Sequence, residues 1–160
     1  MIFVSGAAGH LGRAVINHLV NTYRVPASQI VAGTRNPAKL ADLAAKGVVV
    51  RKADFDDEAG LAKALAGVNG FLIISTDSLD KAGHRLQQHT RAVKAAEAAG
   101  VKHIVYTSMP RPETSAVLFA PDHLGTEKAI AASNIPNQTI LRNNWYFENL
   151  LHSLPVALKS

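Results

Sequence analysis

At 160 residues, 48% hydrophobic and 18% charged, the chain is one domain in size with enough apolar side chains for a full core, which excludes a disordered protein. It contains no cysteine, so disulfides, thiolate zinc sites and cysteine nucleophiles are excluded together. The net charge of +5 comes from scattered Lys and Arg, and aromatics are only 6%, unlike the basic stripe with interleaved aromatics of a nucleic-acid groove.

Strand-length apolar runs alternate with helical patterns from the first residue. MIFV (1–4) reads as a strand, and Leu11, Val15, Ile16, Leu19 and Val20 then share one helical face. QIVAGT (29–34) is a second strand, after which Asn36 offers a cap and Pro37 a first helical residue for a helix closed by Gly47. VVV (48–50) is a third strand and DDEAGLAKALAG (56–67) a short helix. GFLIIS (70–75) is almost wholly apolar, as a strand buried on both faces should be. A longer helix runs to Gly100, HIVYTS (103–108) is strand five, residues 122–133 form a helix and QTILR (138–142) is strand six. Residues 148–160 begin another helix, with Pro155 as a kink.

Six strands separated by helices predict an α/β fold, a doubly wound parallel sheet of Rossmann-like type in the order 3-2-1-4-5-6. Its ligand would lie at the carboxyl ends of strands one and four. One domain spans residues 1–160, with no internal linker, repeat or low-complexity tract. No apolar run reaches membrane-spanning length and no basic leader precedes the first strand, so a cytoplasmic protein away from membranes is expected.

SGAAGHLGR (5–13) spaces Gly6, Gly9 and Gly12 by three, between the first strand and an amphipathic helix. In that setting Gly6 permits a tight turn, Gly9 lets backbone approach a pyrophosphate, and Gly12 permits close helix–sheet packing. The helix N-terminus would add free N–H groups for the phosphates. Strand two ends in Thr34-Arg35, with no carboxylate before Asp42. An acid at that point selects NAD, whereas a guanidinium pairs with a 2′-phosphate, so the expected cofactor is NADP(H), with Lys39 adding charge. Asp54 either accepts from an adenine amino group or, with Asp56 and Asp57, caps the next helix. Ser75, Thr76 and Asp77, at the end of strand four, should line the cofactor floor.

With GAAGHLG, TRNPAK, HIVYTS, DHLGTEK and LRNNWYFEN in one order, the chain resembles the NmrA-like atypical short-chain dehydrogenases over essentially its whole length. The resemblance implies that Gly6, Ala7, Ala8, Gly9, His10 and Leu11 wrap the pyrophosphate and that Arg35 holds the 2′-phosphate. It implies further that Ser75, Thr76 and Asp77 border the cofactor and that Asn143, Asn144, Trp145 and Tyr146 reach its nicotinamide side. Family chains continue into a smaller C-terminal region that helps close the substrate pocket, so this sequence is expected to be a fragment of a longer, two-lobed chain that lacks that region.

Short-chain dehydrogenases pair a tyrosine and a lysine four residues apart on the helix after strand five. Here Lys128 fills the lysine register and Leu124 the tyrosine register. A ketone needs an acid because hydride addition makes a strongly basic alkoxide, whereas a quinone gives a stabilised anion and needs far less help. The expected reaction is therefore hydride transfer from NADPH to a quinone-like small molecule. Lys128 is either a ligand of the nicotinamide ribose or an exposed lysine paired with Glu127 or Asp122. Trp145 and Tyr146 either wall the acceptor or pack the strand end, and Tyr146 or His123 is the candidate proton relay. A non-catalytic NADP(H)-binding redox sensor is the alternative, and a homodimer stays open. The seven histidines show no HxxxH or HExxH spacing, so no metal is expected, and without a GxSxG elbow a hydrolase has no support.

Overall fold

The computed structural model describes residues 1–79, 81–149, 154 and 158. Six strands form one sheet: β1 (Ile2–Val4), β2 (Ile30–Thr34), β3 (Val49–Lys52), β4 (Gly70–Ile73), β5 (His103–Ser108) and β6 (Asn137–Arg142). Their order is β3-β2-β1-β4-β5-β6 and every neighbouring pair is parallel. The chain reverses direction of travel across the sheet between β1 and β4, which opens a crevice at their carboxyl ends.

Because side chains alternate along a strand, β1, β2 and β4 feed two cores. Phe3, Val31, Phe71, Ile73 and Ile104 enter the core under α3 (Glu58–Ala64), α4 (His84–Ala98) and α5 (Ala120–Ala131). Phe3 and Phe71 meet edge to face there, with ring centroids 5.2 Å apart. Val4, Ile30 and Ala32 point the other way and pack with Ile16, Leu40 and Leu43 under α1 (His10–Asn21) and α2 (Ala41–Ala45).

Local signals act mostly where expected. Asn36 accepts from the Ala38 amide at 3.2 Å and Pro37 follows it, but the first turn is a 3-10 helix, Pro37–Leu40, before α2 begins. Asp57 caps α3 by accepting from the Gly60 amide at 2.9 Å. After β6 the chain makes a 3-10 turn, Phe147–Asn149. Most of the expected helix over 148–160, with its kink at Pro155, lies outside the described residues. Among those described, no helix is long and apolar enough to cross a membrane.

Candidate functional site

The crevice holds a cavity of about 290 Å³. Ser5, Gly6, Ala8 and Gly9 line it from the end of β1, and Thr34 and Arg35 from the end of β2. Asp54 and Phe55 enter after β3, Ser75, Thr76 and Asp77 after β4, and Gln88 from α4. Of the residues predicted from the sequence, Gly6, Ala8, Gly9, Arg35, Ser75, Thr76 and Asp77 thus share one wall-to-wall space.

The glycine turn is built from backbone. Gly6 has φ +59°, a left-handed conformation that L side chains rarely adopt. The Gly9 amide donates to the Gly6 carbonyl at 2.9 Å, and the Ala7 amide to the Gly33 carbonyl of β2 at 3.0 Å. A Cβ on Gly12 would press into the Gly6 carbonyl oxygen and stand 2.8 Å from Ala7 Cα, so only glycine lets α1 start this close to the turn. Gly9 precedes α1 without any side-chain cap, and no acidic residue occupies the first turn. Its N-terminal amides and partial positive charge are thereby left for an anion. Ala7 itself is wholly buried in the core, His10 is exposed, and Leu11 faces a shallow groove on the outer side of α1 with Ala14 and His18. The side chains of these three do not line the cavity.

At the end of β2, Arg35 is exposed at the cavity rim. Asp42, the first carboxylate after it, is engaged elsewhere. Arg13 of α1 donates to it at 2.8 Å and also to the Lys39 carbonyl at 2.6 Å. The Arg13 hydrogen bond holds the Asp42 carboxyl below its ordinary range. Asp54 lines the cavity half-buried, with one oxygen accepting from the Asp56 amide at 3.0 Å. It closes a turn before α3 while Asp57 does the capping.

Between α4, α5 and β5 lies a buried polar network that the sequence did not announce. Thr126 Oγ1 donates to the Asp122 carbonyl at 2.7 Å and sits 2.9 Å from His89 Nδ1. Tyr106 Oη lies 2.7 Å from His123 Nδ1, and Arg85 Nη1 3.3 Å from His123 Nε2. A guanidinium only donates, so His123 Nε2 accepts and its Nδ1–H points at the tyrosine. Burial, and then the neighbouring Arg85 charge, lower the His123 pKa to about 4. Burial, with Arg85 and His123 behind it, lowers that of His89 to about 3. Burial raises that of the Tyr106 phenol. Arg85, only 6% exposed, stacks on Phe119 with Cζ 4.8 Å from the ring centroid. Its Nε has no partner among the described residues.

The packing of α5 brings other residues of that helix against the protein. On α5 His123 is buried and Glu127, four residues on, half-buried, while Leu124 is half-buried and Lys128 exposed. Ser108 at the end of β5 donates to Glu127, and Arg142 of β6 grips Glu127 through Nε at 3.1 Å and Nη2 at 2.7 Å. Arg142 also pairs with Glu113, and these two carboxylates, Glu127 foremost, push its pKa up. Lys128 is exposed and lines no part of the cavity. His123, kept neutral by burial and the Arg85 charge, has Arg85 at one ring nitrogen and Tyr106 at the other. Asn143 stands beside β5, its amide donating to the Ser108 carbonyl at 3.2 Å and its side chain to Tyr146 Oη at 3.0 Å. Asn144, Trp145 and Tyr146 are exposed at the same edge and do not line the cavity. Gln88 and Phe55 do line it and escaped sequence reasoning, because only helix and loop packing brings them there.

A parallel sheet of this order, with a glycine turn at its first crossover, defines a Rossmann-like domain. The model of the NmrA-like family matches residues 1–160, and the chain belongs to that family. It is 51% identical over 159 residues to quinone oxidoreductase 2 of Escherichia coli (strain K12), covering 99% of this chain and 54% of that protein. An E. coli NADPH-dependent quinone oxidoreductase complexed with NADPH superposes with a TM-score of 0.90 at 50% identity, over 99% of this chain and 54% of the other. Triphenylmethane reductase of Citrobacter sp. complexed with NADP(H) gives 0.88 at 46%, over 94% and 51%. The chain thus spans about half the length of the relatives it matches.

Proposed function

We propose that this domain binds NADP(H) along the carboxyl edge of its sheet and serves hydride transfer to a quinone or a similar planar acceptor. The observation that carries the reading is one cavity with an uncapped helix N-terminus and glycine turn at one wall and Arg35 at another. The donor set fits the cofactor. The uncapped first turn of α1 and a backbone free of side chains suit a pyrophosphate, and Arg35 suits a 2′-phosphate now that Asp42 is neutralised by Arg13. The second oxygen of Asp54 suits the adenine amino group, and Ser75 to Asp77 border the cofactor's path across β4. When bound, NADPH supplies the hydride. The chain's part is to hold and orient it. The lack of a phenol in the α5 register, where Leu124 stands, supports an acceptor whose reduced anion is stabilised by its own π-system. Names of the matched relatives, quinone oxidoreductase 2 among them, support a reductase over a redox sensor.

Arg35→Asp tests the cofactor. NADPH affinity should fall at least about tenfold while NADH affinity holds or improves, because a charge-assisted bidentate pair to the phosphate becomes a repulsion. Equal loss for both dinucleotides would overturn the assignment of Arg35. NADPH oxidation with a simple benzoquinone tests the acceptor, and tight NADPH binding without turnover would favour the sensor instead.

A further inference from the structure

We propose that Ser5, Thr107 and His89 are positioning residues that clamp the backbone of residues 74–76 into the shape of the cavity floor and thereby set affinity for the dinucleotide. The proposal rests on the cavity being the NADP(H) site.

Strand β4 ends at Ile73, and the chain then leaves the sheet while still lining the cavity. Backbone amides on such a half-buried exit need acceptors, since an orphaned buried N–H is costly. Three side chains from three different elements supply them in succession. The Ile74 amide donates to Ser5 Oγ at 2.9 Å, that of Ser75 to Thr107 Oγ1 at 2.9 Å, and that of Thr76 to His89 Nε2 at 3.0 Å. All three acceptor side chains are buried, His89 completely. The imidazole can accept because it is neutral and because its Nδ1–H is turned toward Thr126 Oγ1. A second tie fixes the same segment. Thr76 Oγ1 donates to Gln88 Oε1 at 2.8 Å, and Gln88 Nε2 donates to Asp56 Oδ2 at 2.6 Å. The floor is therefore set by side chains anchored in β1, β5 and α4, and its position relative to the glycine turn and Arg35 is fixed before any ligand arrives.

Thr107→Val keeps the shape and removes the acceptor, and Thr107→Ser returns it. His89→Leu and His89→Gln form an independent pair, because a glutamine Oε1 reaches the place of Nε2. Dissociation constants for NADPH and NADH are measured on each variant below its urea transition, where the protein is fully folded. The Val and Leu variants should weaken both dinucleotides alike, about tenfold, with the NADPH to NADH ratio unchanged. The Ser and Gln variants should recover to within about threefold. Wild-type affinity in both Thr107→Val and His89→Leu would overturn the proposal, as would a loss that neither conservative variant recovers, since the clamp would then serve stability alone. A loss confined to NADPH would also overturn it, because the effect would belong to the phosphate end. If the wild-type chain binds neither dinucleotide, the functional reading itself falls, a result distinct from all of these.

Discussion

At the carboxyl ends of β1 and β2 the site is made of backbone, whereas at the ends of β4 and β5 it is made of side chains. The first region uses glycine, an uncapped helix start and one exposed guanidinium. The second uses Thr107, His89, Tyr106, Thr126 and His123, all buried and hydrogen-bonded, with Ser5 reaching in from the end of β1. A backbone site needs particular residues at particular spacings, because a single Cβ can fill it. A side-chain site needs only complementary donors and acceptors, which many residue pairs could provide. The two regions should therefore fail differently, the first by steric intrusion and the second by proton uptake or loss of one partner.

Acid between pH 7 and 5 should produce the largest effect, and through the second region. His89 and His123 are neutral when folded, with pKa values near 3 and 4 against an ordinary 6.5. On unfolding they regain the ordinary value and bind protons below it, so acid favours the unfolded chain. Their contribution is complete above about pH 6.5 and is lost as the pH falls toward 4. Between pH 7 and pH 5 each imidazole should cost about 2 kcal/mol, about 4 together. Urea midpoints across that range measure it, and His89→Gln should remove about half of the slope. A flat profile from pH 7 to 5 would break the contrast, because the network would then not be built on neutral imidazoles.

Gly12→Val attacks the first region. The new side chain would enter the Gly6 carbonyl and the Ala7 backbone, so either α1 withdraws or the turn opens. About 3 kcal/mol of stability should be lost, and NADPH binding should fall even where the variant is fully folded. Denaturant unfolding and a binding titration together decide this. Unchanged affinity in the folded variant would show that the turn does not shape the cavity.

The same contrast explains what was legible in the sequence. Strand order could be read from the alternation of strands and helices, and the glycine turn and the place of Arg35 from spacing within one βαβ unit. The burial of His123 on α5 could not, since only packing decides which positions of a helix turn inward. A Cβ on Gly125 would stand 2.8 Å from Leu86 Cδ1 of α4. That close helix contact turns His123 and Glu127 inward and leaves Lys128 in solvent. The clamp on residues 74–76 was invisible for a similar reason. Its acceptors lie 69, 32 and 13 residues from their donors, and a serine, a threonine and a histidine at such distances carry no pattern.

Tyr106→Phe sharpens the contrast from inside the second region. It removes the oxygen facing His123 Nδ1 and leaves that buried N–H without its partner. The cost should be about 1 to 2 kcal/mol, read as a lower urea midpoint. Tyr106 does not line the cavity, so NADPH affinity of the folded variant should stay within about twofold. A large affinity loss would mean that the network and the cavity floor move together.

Trp145→Ser should have the smallest effect, and its size bears on a third stretch that the sequence assigned to the nicotinamide side. Trp145 is 69% exposed and follows β6 at the outer edge of the sheet, away from the cavity lining. A side chain with so little buried area contributes little, so stability should change by less than about 0.5 kcal/mol, and NADPH affinity of this chain should not change measurably. Its neighbour differs: Tyr146 receives a hydrogen bond from Asn143, whose amide is tied to the Ser108 carbonyl. The stretch 143–146 is thus anchored at its first residue by β5, while its indole is held by little. If Trp145→Ser nonetheless weakens NADPH binding, the indole must fold back over β5 when the dinucleotide binds. The β6 edge would then join the side-chain half of the site rather than stand outside it.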